Sequence, residues 1–112
     1  MLDDRSYWKN KKTNKLFEAI LNLKSVNEAE RFFRDLMTIQ EIQTFSERFD
    51  VARLLKKGLS YRKIAKRTGV STTTISRVNQ WLNKGMNGYK LVLERLGKKI
   101  IAHHHKASST VL

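Results

Sequence analysis

The stretch from Tyr61 to Asn79 reads Tyr-Arg-Lys-Ile-Ala-Lys-Arg-Thr-Gly-Val-Ser-Thr-Thr-Thr-Ile-Ser-Arg-Val-Asn. Two short helices that cross closely over a tight turn need a small residue where the first faces the second, and Ala65 stands there. The turn needs a residue tolerant of positive φ, and Gly69 supplies it. Apolar residues must pin both helices to a core, and Ile64, Val70, Ile75 and Val78 fall at those offsets. Ser60 is placed to cap a first helix running through Arg67, and Ser71 a second running through about Lys84 and stopped by Gly85. The six positions together are a specific signal for a helix-turn-helix from about Ser60 to Leu82. Only Thr68 is less apolar than the pattern asks.

In such a motif the second helix enters the major groove, with its N-terminal residues nearest the bases. Here these are Ser71, Thr72, Thr73, Thr74, Ser76 and Arg77. Short hydroxyls allow close backbone approach and reach phosphates or several base edges, and threonine methyls can touch the thymine methyl. Arg77 is the one bidentate reader in this set, so direct readout is expected to be sparse, with water or DNA shape carrying part of the specificity. Lys56, Lys57, Arg62, Lys63, Lys66 and Arg67 flank the unit and are expected to meet phosphates, supplying affinity without sequence information.

The surrounding charge supports this assignment. The chain has 112 residues and a net charge of +13. Residues 1–50 carry nine basic and nine acidic groups, whereas residues 51–93 carry ten basic groups and no acidic one. A surface shaped by solubility alone normally mixes both signs. A neutral half joined to an acid-free basic half therefore suggests one part that assembles and one that meets a polyanion.

Outward from the motif, apolar residues recur at helical spacing and no strand is expected. Leu16, Phe17, Ile20 and Leu21 mark a helix over about 12–23. Ser25 and Glu28 form a capping-box signal opening a second, with Ala29, Phe32, Phe33, Leu36 and Met37 on one face. Ile42, Phe45, Phe49, Ala52 and Leu55 mark a third over about 38–57, ending at Gly58. A last helix is expected over 87–96, before Gly97. The fold class is thus all-α with about six helices. A single domain over residues 1–97 would comprise dimerisation helices over 12–57, the helix-turn-helix over 60–82 and the C-terminal helix over 87–96, followed by a flexible tail over 98–112. A domain this small leaves much of its surface exposed, and sharing a core with a second copy would relieve that.

The segment from about Ile39 to Leu96 resembles the Trp repressor family, and especially its YerC/YecD branch. The residues that carry this are the run Thr-Ile-Gln-Glu-Ile-Gln-Thr-Phe-Ser-Glu-Arg ending at Arg48, then Val51 to Leu55, Ser60 to Ile64, and Gly69 to Val78. The runs Leu16 to Leu21 and Arg31 to Leu36 fit the same branch. The resemblance implies an intertwined homodimer in which the N-terminal helices of both chains form a shared core and each chain presents one helix-turn-helix to double-stranded DNA. It also implies a possible effector pocket. Arg48 and Arg77 align with the two arginines that hold the tryptophan corepressor's carboxylate, and Thr74 with a pocket threonine. Val78 stands where the family has a glycine that makes room for the ligand, and Trp81 where it has a small serine. Both substitutions add bulk at the ligand's place, so free tryptophan is not the expected effector. An ordinary salt bridge across the dimer core is an equal reading of Arg48.

The leading expectation is a sequence-specific transcriptional regulator, a repressor acting as a homodimer. The alternatives are a non-specific nucleic-acid-binding or chromosome-associated protein, which needs only the basic half, and a protein-interaction module that reuses the scaffold. An enzyme is not expected, because there is no phosphate-binding glycine loop, no metal-ligand spacing and no histidine or carboxylate in the basic half for acid–base work. No cofactor is expected. Cysteine is absent, which excludes disulfides and thiolate metal sites. His103, His104 and His105 are consecutive, so on a helix they would not converge on one ion. Tyr61, Tyr89 and Trp81 read as packing residues. No stretch is apolar enough to span a membrane or to serve as a secretory signal, so the cytoplasm is the default compartment.

Overall fold

The computed structural model describes the backbone of residues 7–110 and the side chains of residues 7–99. The described residues form six helices and no strand: α1 (Lys11–Ile20), α2 (Val26–Leu36), α3 (Ile39–Lys56), α4 (Tyr61–Thr68), α5 (Thr72–Lys84) and α6 (Gly88–Thr110). The fold is all-α, as the periodicity indicates. Within one chain the residues group into two compact units, 1–42 and 43–112.

In the first unit the helix starts are set by side chains that satisfy free backbone groups. Asn10 and Thr13 exchange side-chain-to-backbone hydrogen bonds of 3.0 and 2.9 Å at the head of α1. The α1 helix stops at Ile20, three residues short of the periodic pattern, because the chain tightens there: the Asn22 amide donates to the Glu18 carbonyl and the Leu23 N–H to that of Ile20. Ser25 caps α2 by accepting from the Glu28 N–H, but the Glu28 carboxylate reaches back to the Lys24 N–H rather than to Ser25. Thr38 and Glu41 form a full reciprocal box at the head of α3. The Thr38 N–H, aided by the Thr38 hydroxyl, holds the Glu41 carboxyl below its ordinary pKa. Neither α1 nor α2 contains a buried residue. Their apolar faces are only partly covered: Phe17 is 49% and Val26 77% exposed, while Leu16, Ile20, Phe32 and Phe33 are half-buried.

The second unit holds the core. Val51, Ala52 and Leu54 of α3 pack with Ile64, Val70, Ile75 and Val78, and Leu55, Leu59, Ala65, Tyr89 and Leu93 close around them. Each fully buried aliphatic side chain contributes about 1.5–3 kcal/mol relative to exposure. The turn between α4 and α5 is fastened by residues the motif foretold, with Gly69 at φ 74°, and by one that it did not. Thr68 donates its hydroxyl to the Ile64 carbonyl at 2.7 Å and accepts from the Val70 N–H at 3.1 Å. Its polarity therefore closes the turn instead of weakening it.

Gly85 ends α5 for a reason other than positive φ. A Cβ there would lie 2.3 Å from the Trp81 carbonyl oxygen. The last helix departs from expectation. It continues through Gly97 to Thr110, so the segment expected as a flexible tail from residue 98 is helical to residue 110. Gly97 does not take a positive φ, and Glu94 and Lys98 bracket it as an i,i+4 ion pair at 3.4 Å in the favourable orientation. The side chains of His103, His104 and His105 lie outside the described residues.

Candidate nucleic-acid interface

The core dictates which side of the helix-turn-helix faces outward. On α5 the inward side carries Ile75, Val78 and Leu82, all buried. Residues three and four apart share a helix face, so the opposite side carries Thr73, Ser76 and Arg77, all exposed, with exposed Thr72 beside them. On α4, Ile64 points inward and Arg62, Lys63, Lys66 and Arg67 are exposed; Lys56 and Lys57 are exposed at the end of α3. The expected phosphate-facing cations are therefore available to solvent.

Two of the expected DNA-facing hydroxyls are committed to local structure. The Ser71 oxygen accepts from the Thr74 N–H at 3.2 Å, and its hydroxyl donates to the Thr74 oxygen at 3.1 Å. Thr74 is itself half-buried. Ser71 is thus a helix cap, and Thr72, Thr73 and Ser76 are the freer hydroxyls. One cation of the acid-free window is also neutralised from outside it. Arg53 is held by Asp50 at 2.7 Å.

The five residues aligned with an effector pocket have different surroundings among the described residues. Arg48 lies with its guanidinium 5.4 Å from the ring centre of Phe45 and 5.3 Å from that of Trp81. Val78 is fully buried in the core. Arg77 is on the outer face, and Thr74 belongs to the α5 cap. Of the five, Trp81 alone lines the apolar groove of about 630 Å³ bounded by Phe49, Gly85, Met86, Tyr89 and Val92. Burial pushes the Tyr89 hydroxyl above its ordinary pKa, against the opposing pull of the nearby Arg48 charge.

Sequence reasoning missed this groove, because it is made by α3, α5 and α6 together and no local pattern announces it. It also passed over the C-terminal half of α5. There, Tyr61, Ser76, Asn79, Gln80, Asn83 and Lys84 line a polar hollow of about 350 Å³. Extending the outward face of α5 by the same helical period would have reached Gln80 and Lys84. Among the described residues no group of side chains could hold a metal ion, and no helix is long and apolar enough to cross a membrane.

A helix-turn-helix on an all-helical scaffold, with its outer face lined by hydroxyls and cations, defines a DNA-binding regulator. The model for the Trp repressor protein family matches residues 11–97. The chain belongs to the Trp repressor family, a family of DNA-binding regulators rather than enzymes. It is 49% identical over 86 residues to the YerC protein of Bacillus subtilis (strain 168), covering 77% of this chain and 83% of that protein. Its fold is similar to the crystal structure of a TrpR-like protein from Eubacterium eligens ATCC 27750, with a TM-score of 0.80, 49% identity, and coverage of 83% of this chain and 96% of the other. It is equally similar to a candidate Trp repressor from Staphylococcus aureus, with a TM-score of 0.80, 38% identity, and coverage of 86% and 96%.

Proposed function

We propose that the protein is a sequence-specific transcriptional repressor that binds an inverted-repeat operator as a homodimer in the cytoplasm. The observation that carries this reading is the outer face of α4 and α5. It is rigidly opposed to a buried core, it exposes Arg62, Lys63, Lys66, Arg67 and Arg77, and residues 51–93 contain no acid. A repressor of this kind places its two recognition helices about 34 Å apart, one helical turn of DNA. The phosphate contacts belong to Lys56, Lys57 and the α4 cations, and base readout to the outer face of α5.

The homodimer is supported by α1 and α2. Two amphipathic helices with no fully buried residue present an apolar face that a lone chain leaves partly in water. A single domain over 1–97 is then one half of a jointly folded pair. Sedimentation should give twice the mass of the chain, and Leu21→Asp should halve it.

No free tryptophan acts as effector in this reading. Val78 is part of the core, and the Trp81 ring already lies against Arg48. Calorimetry showing saturable micromolar L-tryptophan binding would overturn it.

The DNA reading is tested by titrating salt. Each neutralised phosphate releases counterions, so the logarithm of the affinity should fall steeply with the logarithm of salt concentration, by about 0.9 per phosphate contact. Lys66→Gln with Arg67→Gln should flatten that slope. A slope near zero for the unaltered protein would sink the proposal. A non-specific binder is the second reading, and the use of Ser71 and Thr74 as a cap favours it, because it leaves fewer hydroxyls for bases. Equal affinity for selected and random DNA in competition would establish it.

A further inference from the structure

We infer that Gln80 is the adenine-reading residue of the recognition helix, an inference that rests on the DNA-binding reading above. On α5, Thr73, Ser76, Arg77, Gln80 and Lys84 recur at intervals of three and four, and all are exposed. Gln80 lies at the centre of this stripe, opposite the buried Ile75, Val78 and Leu82. It is thus one of the α5 residues farthest from the core.

Three carboxamides border the polar hollow beside this face, and the structure separates them. The Asn83 amide nitrogen donates to the Asn79 carbonyl at 2.9 Å and to the Asn79 Oδ1 at 3.0 Å. Those two amides are tied to each other and to the helix backbone. The Gln80 amide makes no hydrogen bond to any described residue, so its donor and acceptor are both available.

An amide with a free donor and a free acceptor matches one base edge. Glutamine pairs bidentately with adenine, donating to N7 and accepting from the N6 amino group in the major groove. None of the hydroxyls on α5 can do this, and Arg77 matches guanine instead. The length of α5 permits the contact. At thirteen residues the helix is about 20 Å long at the usual rise, and long recognition helices of the homeodomain kind read bases well beyond their first turn. The Tyr61 hydroxyl and the Lys84 ammonium at the rim of the hollow suit the flanking phosphates. Specificity is therefore not left to water and DNA shape.

The test is selection of binding sites from random double-stranded DNA by the full chain and by Gln80→Ala and Gln80→Arg. The unaltered protein should enrich a symmetric site with an A·T pair at one fixed position in each half. Gln80→Ala should lose discrimination at that position by roughly tenfold or more and leave the other positions unchanged. Gln80→Arg should move the preference there to guanine. A consensus that survives Gln80→Ala overturns this inference alone and leaves the regulator reading standing. A uniform loss of affinity, with the consensus intact, assigns Gln80 to phosphate and also overturns it. No consensus for the unaltered protein overturns both.

Discussion

The Arg48 guanidinium lies 5.3 Å from the centre of the Trp81 ring, joining α3 to the C-terminal part of α5. The Phe45 ring, at 5.4 Å, holds the same cation. A cation over an aromatic face contributes about 0.5–2 kcal/mol, more as it is desolvated. Arg48→Ala should therefore lower stability by about 1 kcal/mol in urea unfolding. Followed by fluorescence in a Trp8→Phe background, Trp81 emission should move to the red as the ring loses its cover. An unchanged midpoint and spectrum would show that the contact holds nothing in place.

Thr68 offers a sharper stability test. Its hydroxyl serves both the Ile64 carbonyl and the Val70 N–H. Thr68→Val keeps the shape but leaves the Val70 N–H unpaired in a half-buried turn and removes the second donor to the Ile64 carbonyl, at a cost of about 1–3 kcal/mol. Thr68→Ser keeps the hydroxyl and should lose much less. If Val and Ser variants unfold at the same denaturant concentration, the turn does not depend on this oxygen.

The two glycines that end α4 and α5 should respond unequally to alanine. Gly69→Ala meets no atom within 4 Å and suffers only the left-handed backbone at φ 74°, about 1 kcal/mol or somewhat more. Gly85→Ala sets a methyl 2.3 Å from the Trp81 carbonyl oxygen, and the backbone must move. The expected order of thermal midpoints is native, then Gly69→Ala, then Gly85→Ala. The reverse order would contradict the close approach at Trp81.

Tyr89 should make stability fall at alkaline pH. Its hydroxyl is raised above the ordinary value, chiefly by burial. The folded state then holds its proton where the unfolded state has released it, so the contribution is complete below about pH 10 and declines as pH rises above that. In spectrophotometric titration Tyr89 should ionise after a tyrosine of ordinary value, and Tyr89→Phe should remove both the late step and its share of the alkaline destabilisation.

The helix-turn-helix was legible in the sequence because its requirements are local. Gly69 in the turn, Ala65 at the crossing, the serine caps at Ser60 and Ser71, and Ile64, Val70, Ile75 and Val78 on the inner side each follow from backbone geometry over a few residues. The acid-free window from 51 to 93 was legible because charge can be counted. Only the structure shows that at its edge Arg53 pairs with Asp50 across the boundary. The end of α6 differs from expectation because Gly97 takes neither the positive φ of Gly69 nor the close backbone approach of Gly85, so nothing local stops the helix there.

Whatever depends on several helices at once was decided by the tertiary structure. Val78 fits a core position and an effector position equally well in the sequence, and packing against α3 and α4 places it in the core. Arg48 and Trp81 stand 33 residues apart, so only the fold could show that the arginine meets a ring face. Gln80 looks like any surface amide in the chain. It differs from Asn79 and Asn83 because those two bond to each other, and because the buried side of α5 turns Gln80 outward. Local chemistry chooses helices, caps and turns, since each involves neighbours in sequence. The identity of a surface is set by which faces the core consumes, and that is known only once the helices have packed.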